Sequence, residues 1–189
     1  MRERTIQGRL LLASPAMSDP SFARAVVLVV RHNRAGAVGV VLNRPSVVTV
    51  DQVLPSWAAL TSGPQVLFQG GPRAIEGAMG LVRMTSPSPA SGWHKLRLPG
   101  LSAVGVLDLE SPPVLIAPQM GAMRVFIGHV GWGGGQLEQE IADGSWYLLP
   151  AEAEDPFSAH PARLWTQVLR RQGGHLALLA NLNQDPTIH

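Results

Sequence analysis

The sequence predicts a single α+β domain built on a largely antiparallel or mixed sheet, and three observations carry that expectation. Two β-branched apolar runs, residues 25–30 and 38–42, flank the short Gly-bearing linker Asn33-Arg34-Ala35-Gly36. Further short apolar runs, set off by Gly and Pro, mix irregularly with segments at helical spacing instead of alternating with them. Neither an internal repeat nor a shift in composition divides residues 1–189, so one domain is expected.

Residues 25–30 are apolar on both alternating faces, which marks a strand covered on two sides. The run 38–42 repeats the pattern, and the linker suits an antiparallel hairpin. A turn centred near Arg34 and Ala35 sets residues whose numbers sum to about 69 opposite each other. Val26 then faces Asn43, and Asp19, Arg24, Asn43 and Arg44 gather at one end of the sheet.

Thr49 and Ser56 suit the N-caps of two short helices carrying Val53, Leu54, Trp57 and Leu60, with Pro55 between them. Residues 66–68 and 79–82 read as strands around Gly70-Gly71-Pro72, and 85–92 as a loop, either mobile or an ordinary surface excursion. Residues 104–107 and 123–127 are further strands; Ser111-Pro112 suits a helix start and Pro118 limits its length. Over 136–143, Leu137 and Ile141 share a helical face and Gly144 supplies the stop, before a strand over 146–149. From 161 to 172, Leu164, Trp165, Val168 and Leu169 form an apolar stripe. Pro161 suits its first turn, Arg170 and Arg171 complement the C-terminal dipole, and Gly173-Gly174 ends it.

Composition narrows the chemistry. With 46% hydrophobic and 15% charged residues the chain can bury a core. The longest aliphatic run is far short of the ~20 residues a bilayer-crossing helix needs, and no secretory h-region is present, so cytoplasmic residence without membrane contact is expected. The absence of Cys removes disulfides, thiol nucleophiles and thiolate metal sites. A formal charge of +2 is no nucleic-acid signature. The cations are 14 Arg and the single Lys95, a bias that composition explains without recruiting Arg for phosphate chemistry. No serine sits in a Gly-x-Ser-x-Gly elbow, no Gly-Lys-Ser/Thr loop occurs, and the six histidines are too far apart in sequence to read as a metal site. Neither a cofactor nor a metal is indicated.

The Gly131-Trp132-Gly133-Gly134-Gly135 run follows an expected strand and opens an expected helix, where backbone amides can cradle a ligand or simply allow tight packing. Glu138 and Glu140 disfavour a polyphosphate there and favour a neutral or cationic group. Gly70-Gly71-Pro72 either exposes two amides or supplies a turn. Asp19-Pro20 reads as an N-cap with Pro in the first helical position, and His32, ending a buried strand, as a hydrogen-bonded structural residue.

Taken together, Ala13-x-Pro15, Asp19-Pro20-x-Phe22-x-Arg24, His32-Asn33-x-x-Gly36-x-x-Gly39, Asn43-Arg44-Pro45, Gly70-Gly71-Pro72, Gly131-Trp132, Gly135-Gln136-Leu137-Glu138-x-Glu140 and Trp146 resemble the AlgH/YqgE family of bacterial proteins, over residues 10–165. Arg44 stands where Lys is also common, and Pro118 interrupts a segment more plainly helical in that family. The resemblance implies an α+β domain whose sheet curls toward a pseudo-barrel with helices packed around it. It also implies a cytoplasmic bacterial protein; some members carry a transcriptional-regulator label, and none brings agreed catalytic residues.

The residues expected to line a groove for a small molecule or a protein partner are Asn43, Gly70, Gly71, Gly131, Trp132, Gly135 and Gln136. Asp19, Pro20, Arg24, His32, Asn33, Pro45, Pro72 and Glu138 are expected to hold the structure, Arg24 through an ion pair or hydrogen bond. A regulator acting directly or indirectly, and an enzyme working through Asp19, Arg24, His32 or Glu138, stand as alternatives. Specific DNA binding is disfavoured.

Overall fold

The computed structural model describes residues 5–86, 92–96 and 103–182. Ten strands form one curled sheet: β1 (Arg9–Ala13), β2 (Val26–Asn33), β3 (Gly36–Val41), β4 (Pro45–Thr49), β5 (Val66–Gln69), β6 (Arg73–Met84), β7 (Trp93–Lys95), β8 (Val104–Leu107), β9 (Met120–Gly133) and β10 (Trp146–Pro150). The main path runs β10-β1-β2-β3-β9-β6-β8-β7, with β4 on β5 and β5 on β9. Only the β5–β9 pair is parallel among the described residues. Among the described residues six α-helices cover the sheet: α1 (Val50–Val53), α2 (Pro55–Ala58), α3 (Pro113–Ile116), α4 (Gln136–Ala142), α5 (Leu164–Gln172) and α6 (Gly174–Leu182).

The two-faced apolar strands are explained by what lies on each side. Leu10 and Leu12 of β1, with Val26 and Leu28 of β2, pack beneath α5 and α6 around Trp165, Val168 and Leu169. The alternate residues Leu11, Ala13, Val27 and Val29 face Trp132, Leu137 and Trp146 under α4. A third apolar cluster, with Val50, Trp57, Val82, Ile116 and Val125, lies under α1, α2 and α3.

The hairpin forms as expected, with one correction to its register. Near the turn His32 faces Ala37, as the sum rule has it, but Val30 is a bulged residue and the pairs beyond it shift to Val29–Gly39 and Val27–Val41. Leu42, not Asn43, therefore meets Val26. Asn43 lies one step farther on, and its side chain reaches back to the β2 end: Oδ1 accepts from Val26 N–H at 2.9 Å and Nδ2 donates to the Arg24 carbonyl at 2.8 Å. Arg44 donates to the Ala23 carbonyl.

β9 is the spine that curls the sheet. Its first half pairs with β5 and β6, its last residues with β3, and Gly128 bends it between the two at φ 73°. Gly70 is consumed at this junction: its N–H donates to Ile127 and its carbonyl accepts from Val41. A Cβ on Gly71 would lie 2.2 Å from the His129 carbonyl carbon, so Gly70-Gly71 serves strand crossing at this point.

Other expectations shift locally. Thr49 caps α1 through a reciprocal bond with Gln52, whereas Ser56 lies inside α2, whose cap is Leu54 and whose first residue is Pro55. The segment 161–172 opens with a 3₁₀ turn, Pro161–Arg163, and only then becomes α5. Gly173 ends α5 at φ 73°, yet the chain continues as α6, which its apolar and Ala-rich composition supports. Residues 87–91 of the expected loop lie outside the described residues.

Arg124 is held inside with no carboxylate on it among the described residues. Its guanidinium donates to the carbonyls of Pro156, Ser158 and Gly63 and lies 4.3 Å from the centre of the Phe68 ring. Burial pushes its pKa down to about 10.

Candidate functional site

The end of β9, the helix α4 behind it and the first residue of β10 frame a hollow of about 370 Å³. Phe22 and Met17 enter from the 3₁₀ segment Pro20–Phe22 and the chain before it; Pro72 and Arg73 enter from the start of β6. Phe22 meets Trp146 edge-on at 5.7 Å between ring centres, and Trp132 meets Trp146 at 6.2 Å, so three rings form a corner of the hollow.

Glu140 organises that corner. Trp132 and Trp146 both donate their indole N–H to Oε2, each at 2.9 Å, and Gln136 donates to Oε1 at 3.1 Å. Gln136 in turn accepts from Gly133 N–H at 3.0 Å, which ties the β9 end to the first turn of α4. Three neutral donors thus hold a carboxylate in a half-buried, aromatic setting with no cation on it among the described residues. Asp19 also lines the hollow; the Ser21 hydroxyl and then the Ser21 N–H hold its carboxyl below the ordinary range.

A second hollow of about 760 Å³ adjoins the first, and Arg73, Gly131, Trp132 and Gln136 belong to both. Its remaining walls include Arg31, Asn33, His129 and the backbone of the β2–β3 turn, with no carboxylate among them. Arg73 lies across Gly131, where an added Cβ would come within 3.2 Å of its Cδ. Lacking a side chain, Gly131 lets Arg73 lie on the boundary between the two spaces.

Of the residues expected to line a groove, Gly131, Trp132 and Gln136 do so, joined by Asp19, Pro72 and Asn33. Asn43, Gly70 and Gly71 lie elsewhere, in the backbone bridges already described, and Gly135 is the left-handed N-cap of α4 at φ 76°. The Gly-rich run 131–135, expected to follow the strand, is itself strand as far as Gly133. Pro20 opens the 3₁₀ turn, Pro45 begins β4 opposite Phe68, and Asn33 Oδ1 accepts from Ala35 N–H at 2.8 Å to brace the hairpin tip. Arg24 sits in the left-handed region at φ 56° with its guanidinium 5.2 Å from the centre of the Trp165 ring.

His32 and Glu138 pair beside this site. Ile6 N–H donates to Nδ1, which leaves the proton on Nε2, directed at Glu138 Oε1. That bond is the main cause holding Glu138 below the usual carboxylate range. Glu138 is thereby turned away from both hollows, and only Glu140 of the two helix carboxylates faces one. Arg73 and Glu140 were missed as wall residues by sequence reasoning; the Gln136–Glu140 spacing of four was the available signal for Glu140. Among the described residues, no three His, Asp or Glu side chains could hold a metal ion, and no helix is long and apolar enough to cross a membrane.

The family model described as AlgH-like, DUF179, matches residues 10–177, a span that contains every wall of both hollows. This chain belongs to the AlgH-like family. A UPF0301 protein of Streptomyces coelicolor, SCO2948, is 46% identical over 191 residues, covering 98% of this chain and 96% of its own length. The crystal structure of DIP2367 from Corynebacterium diphtheriae superposes with a TM-score of 0.86 at 32% identity, covering 95% of this chain and 94% of that one. The solution structure of AlgH from Pseudomonas aeruginosa gives 0.69 at 26% identity, covering 100% and 98%. The curled α+β architecture is therefore that of the AlgH-like fold.

Proposed function

We propose that this AlgH-like chain is a cytoplasmic small-molecule-binding module whose ligand seats in the paired hollows between β9, α4 and the start of β6. The observation that carries this reading is Glu140, whose carboxylate is fixed by two tryptophan indoles at the back of an aromatic recess. Three preset donors hold a charge where burial alone is unfavourable, and a rigid, partly apolar recess with a few convergent polar groups is the usual form of a ligand site. Direct reading of DNA by the last helices has little to work with. Arg171 is committed to Asp155, which leaves Arg163 and Arg170 as the cations of this helix, too few for a basic stripe.

A thermal-shift screen against a metabolite library tests the proposal. A ligand at about 100 times its Kd adds ~2.7 kcal/mol to stability, and direct titration of that ligand at a temperature where Glu140→Ala is folded should show its binding lost in the variant. A library that gives no shift, together with sequence-specific binding to duplex DNA, would replace this reading with the regulator one.

A further inference from the structure

We infer that the ligand is a zwitterion, its ammonium held in the aromatic hollow and its carboxylate or phosphate in the adjoining one; this rests on the proposal that these hollows are the binding site. The two spaces differ in charge: Asp19, Glu140 and Arg73 line the first, Arg31 and Arg73 line the second. In the first, Asp19 and Glu140 are carboxylates without a cation partner among the described residues, beside the rings of Phe22, Trp132 and Trp146. An ammonium is drawn to carboxylate and to ring faces alike, while an anion is repelled by both.

In the second hollow the balance reverses. Arg31 and Arg73 are wall residues, neither pairs with a carboxylate among the described residues, and no acidic side chain lines the space. Guanidinium groups match carboxylate and phosphate oxygens in a two-pronged geometry. Arg73 stands at the boundary because Gly131 gives it room, so a molecule crossing from one hollow to the other passes its guanidinium. A cation alone would meet only the carboxylate wall, and an anion alone only the guanidinium wall. A ligand bearing both charges answers both walls.

The test is a titration of the full chain, followed by the indole N–H resonances of Trp132 and Trp146. The probes are choline, its neutral carbon isostere dimethylbutanol, acetate, inorganic phosphate, the amino carboxylates from glycine to ε-aminocaproate, and phosphoethanolamine. At least one zwitterion is expected to bind roughly ten-fold or more tightly than choline and than either simple anion, the margin of one charge-assisted contact. The best chain length reads the charge separation, and phosphoethanolamine against its carboxylate counterpart tells which anion is preferred. In Arg73→Gln, an exposed position, the zwitterion should lose its advantage and fall to the affinity that the same variant has for choline. Dimethylbutanol binding as well as choline, or a zwitterion advantage that survives Arg73→Gln, overturns the inference. If a neutral library compound shifts the two indoles while no charged probe does, the charge assignment fails and the hollow stands; if nothing shifts them, both fail.

Discussion

Trp132 and Trp146 point their indole N–H groups at the same oxygen of Glu140, each at 2.9 Å. The two residues come from different strands, β9 and β10, which are not neighbours in the sheet, and α4 supplies the carboxylate that joins them. Replacing Glu140 by Ala leaves two largely buried N–H groups without an acceptor, at about 1–3 kcal/mol each. Chemical denaturation should therefore show Glu140→Ala less stable by roughly 2–6 kcal/mol. Glu140→Gln, which keeps one acceptor oxygen, should lose less than half of that.

The His32–Glu138 pair predicts a pH dependence of known sign. Glu138 has a folded pKa below its unfolded value, so its contribution is fully present above the ordinary carboxylate range and is lost as pH falls through the depressed value. Because Glu138 is half exposed, the effect is screened to less than about 1 kcal/mol. Urea midpoints for the wild type and Glu138→Gln should differ at neutral pH and converge in acid.

Asp155 is 4% exposed and receives both prongs of Arg171, at 2.6 and 2.7 Å. Arg171→Ala strands a buried carboxylate and should cost about 3 kcal/mol. The double variant Arg171→Ala with Asp155→Ala should recover part of the loss in a thermal melt, whereas a pair worth nothing would leave both proteins at the wild-type midpoint.

Asn43→Ala removes an acceptor for Val26 N–H and a donor for the Arg24 carbonyl, for a loss of about 2 kcal/mol. Asn43→Asp keeps the acceptor but sets a carboxylate against that carbonyl and should be no better. Neither change should alter ligand affinity below the melting transition, since Asn43 is not a wall of the hollows.

The hairpin, the apolar centres of β5, β6, β8, β9 and β10, and helices α4 and α5 were legible because apolar periodicity and Gly or Pro stops agree at those places. β1 was not: residues 9–13 are too short to separate from any apolar patch until β2 and β10 pair on either side of them. β4 was hidden by its exposure, with Val47 at 96%, since it has no inward face to create alternation. In the site, Trp132, Gly131 and Gln136 were readable from the glycine-rich run. Arg73 was not, because it reaches the hollow through a register shift between β6 and β9 that has no local signature. The same limit applies to Arg171, which suits a helix dipole in sequence but pairs with Asp155 sixteen residues earlier.

A ligand seated in the proposed site lies against the indoles of Trp132 and Trp146. The five indole N–H resonances of the chain, followed during titration with any compound that raises the melting temperature, test that placement most directly. Trp132 and Trp146 should shift in proportion to occupancy while Trp57, Trp93 and Trp165, bonded to carbonyls elsewhere, stay in place. A stabilising ligand that moves any of those three and leaves Trp132 and Trp146 unmoved would contradict it.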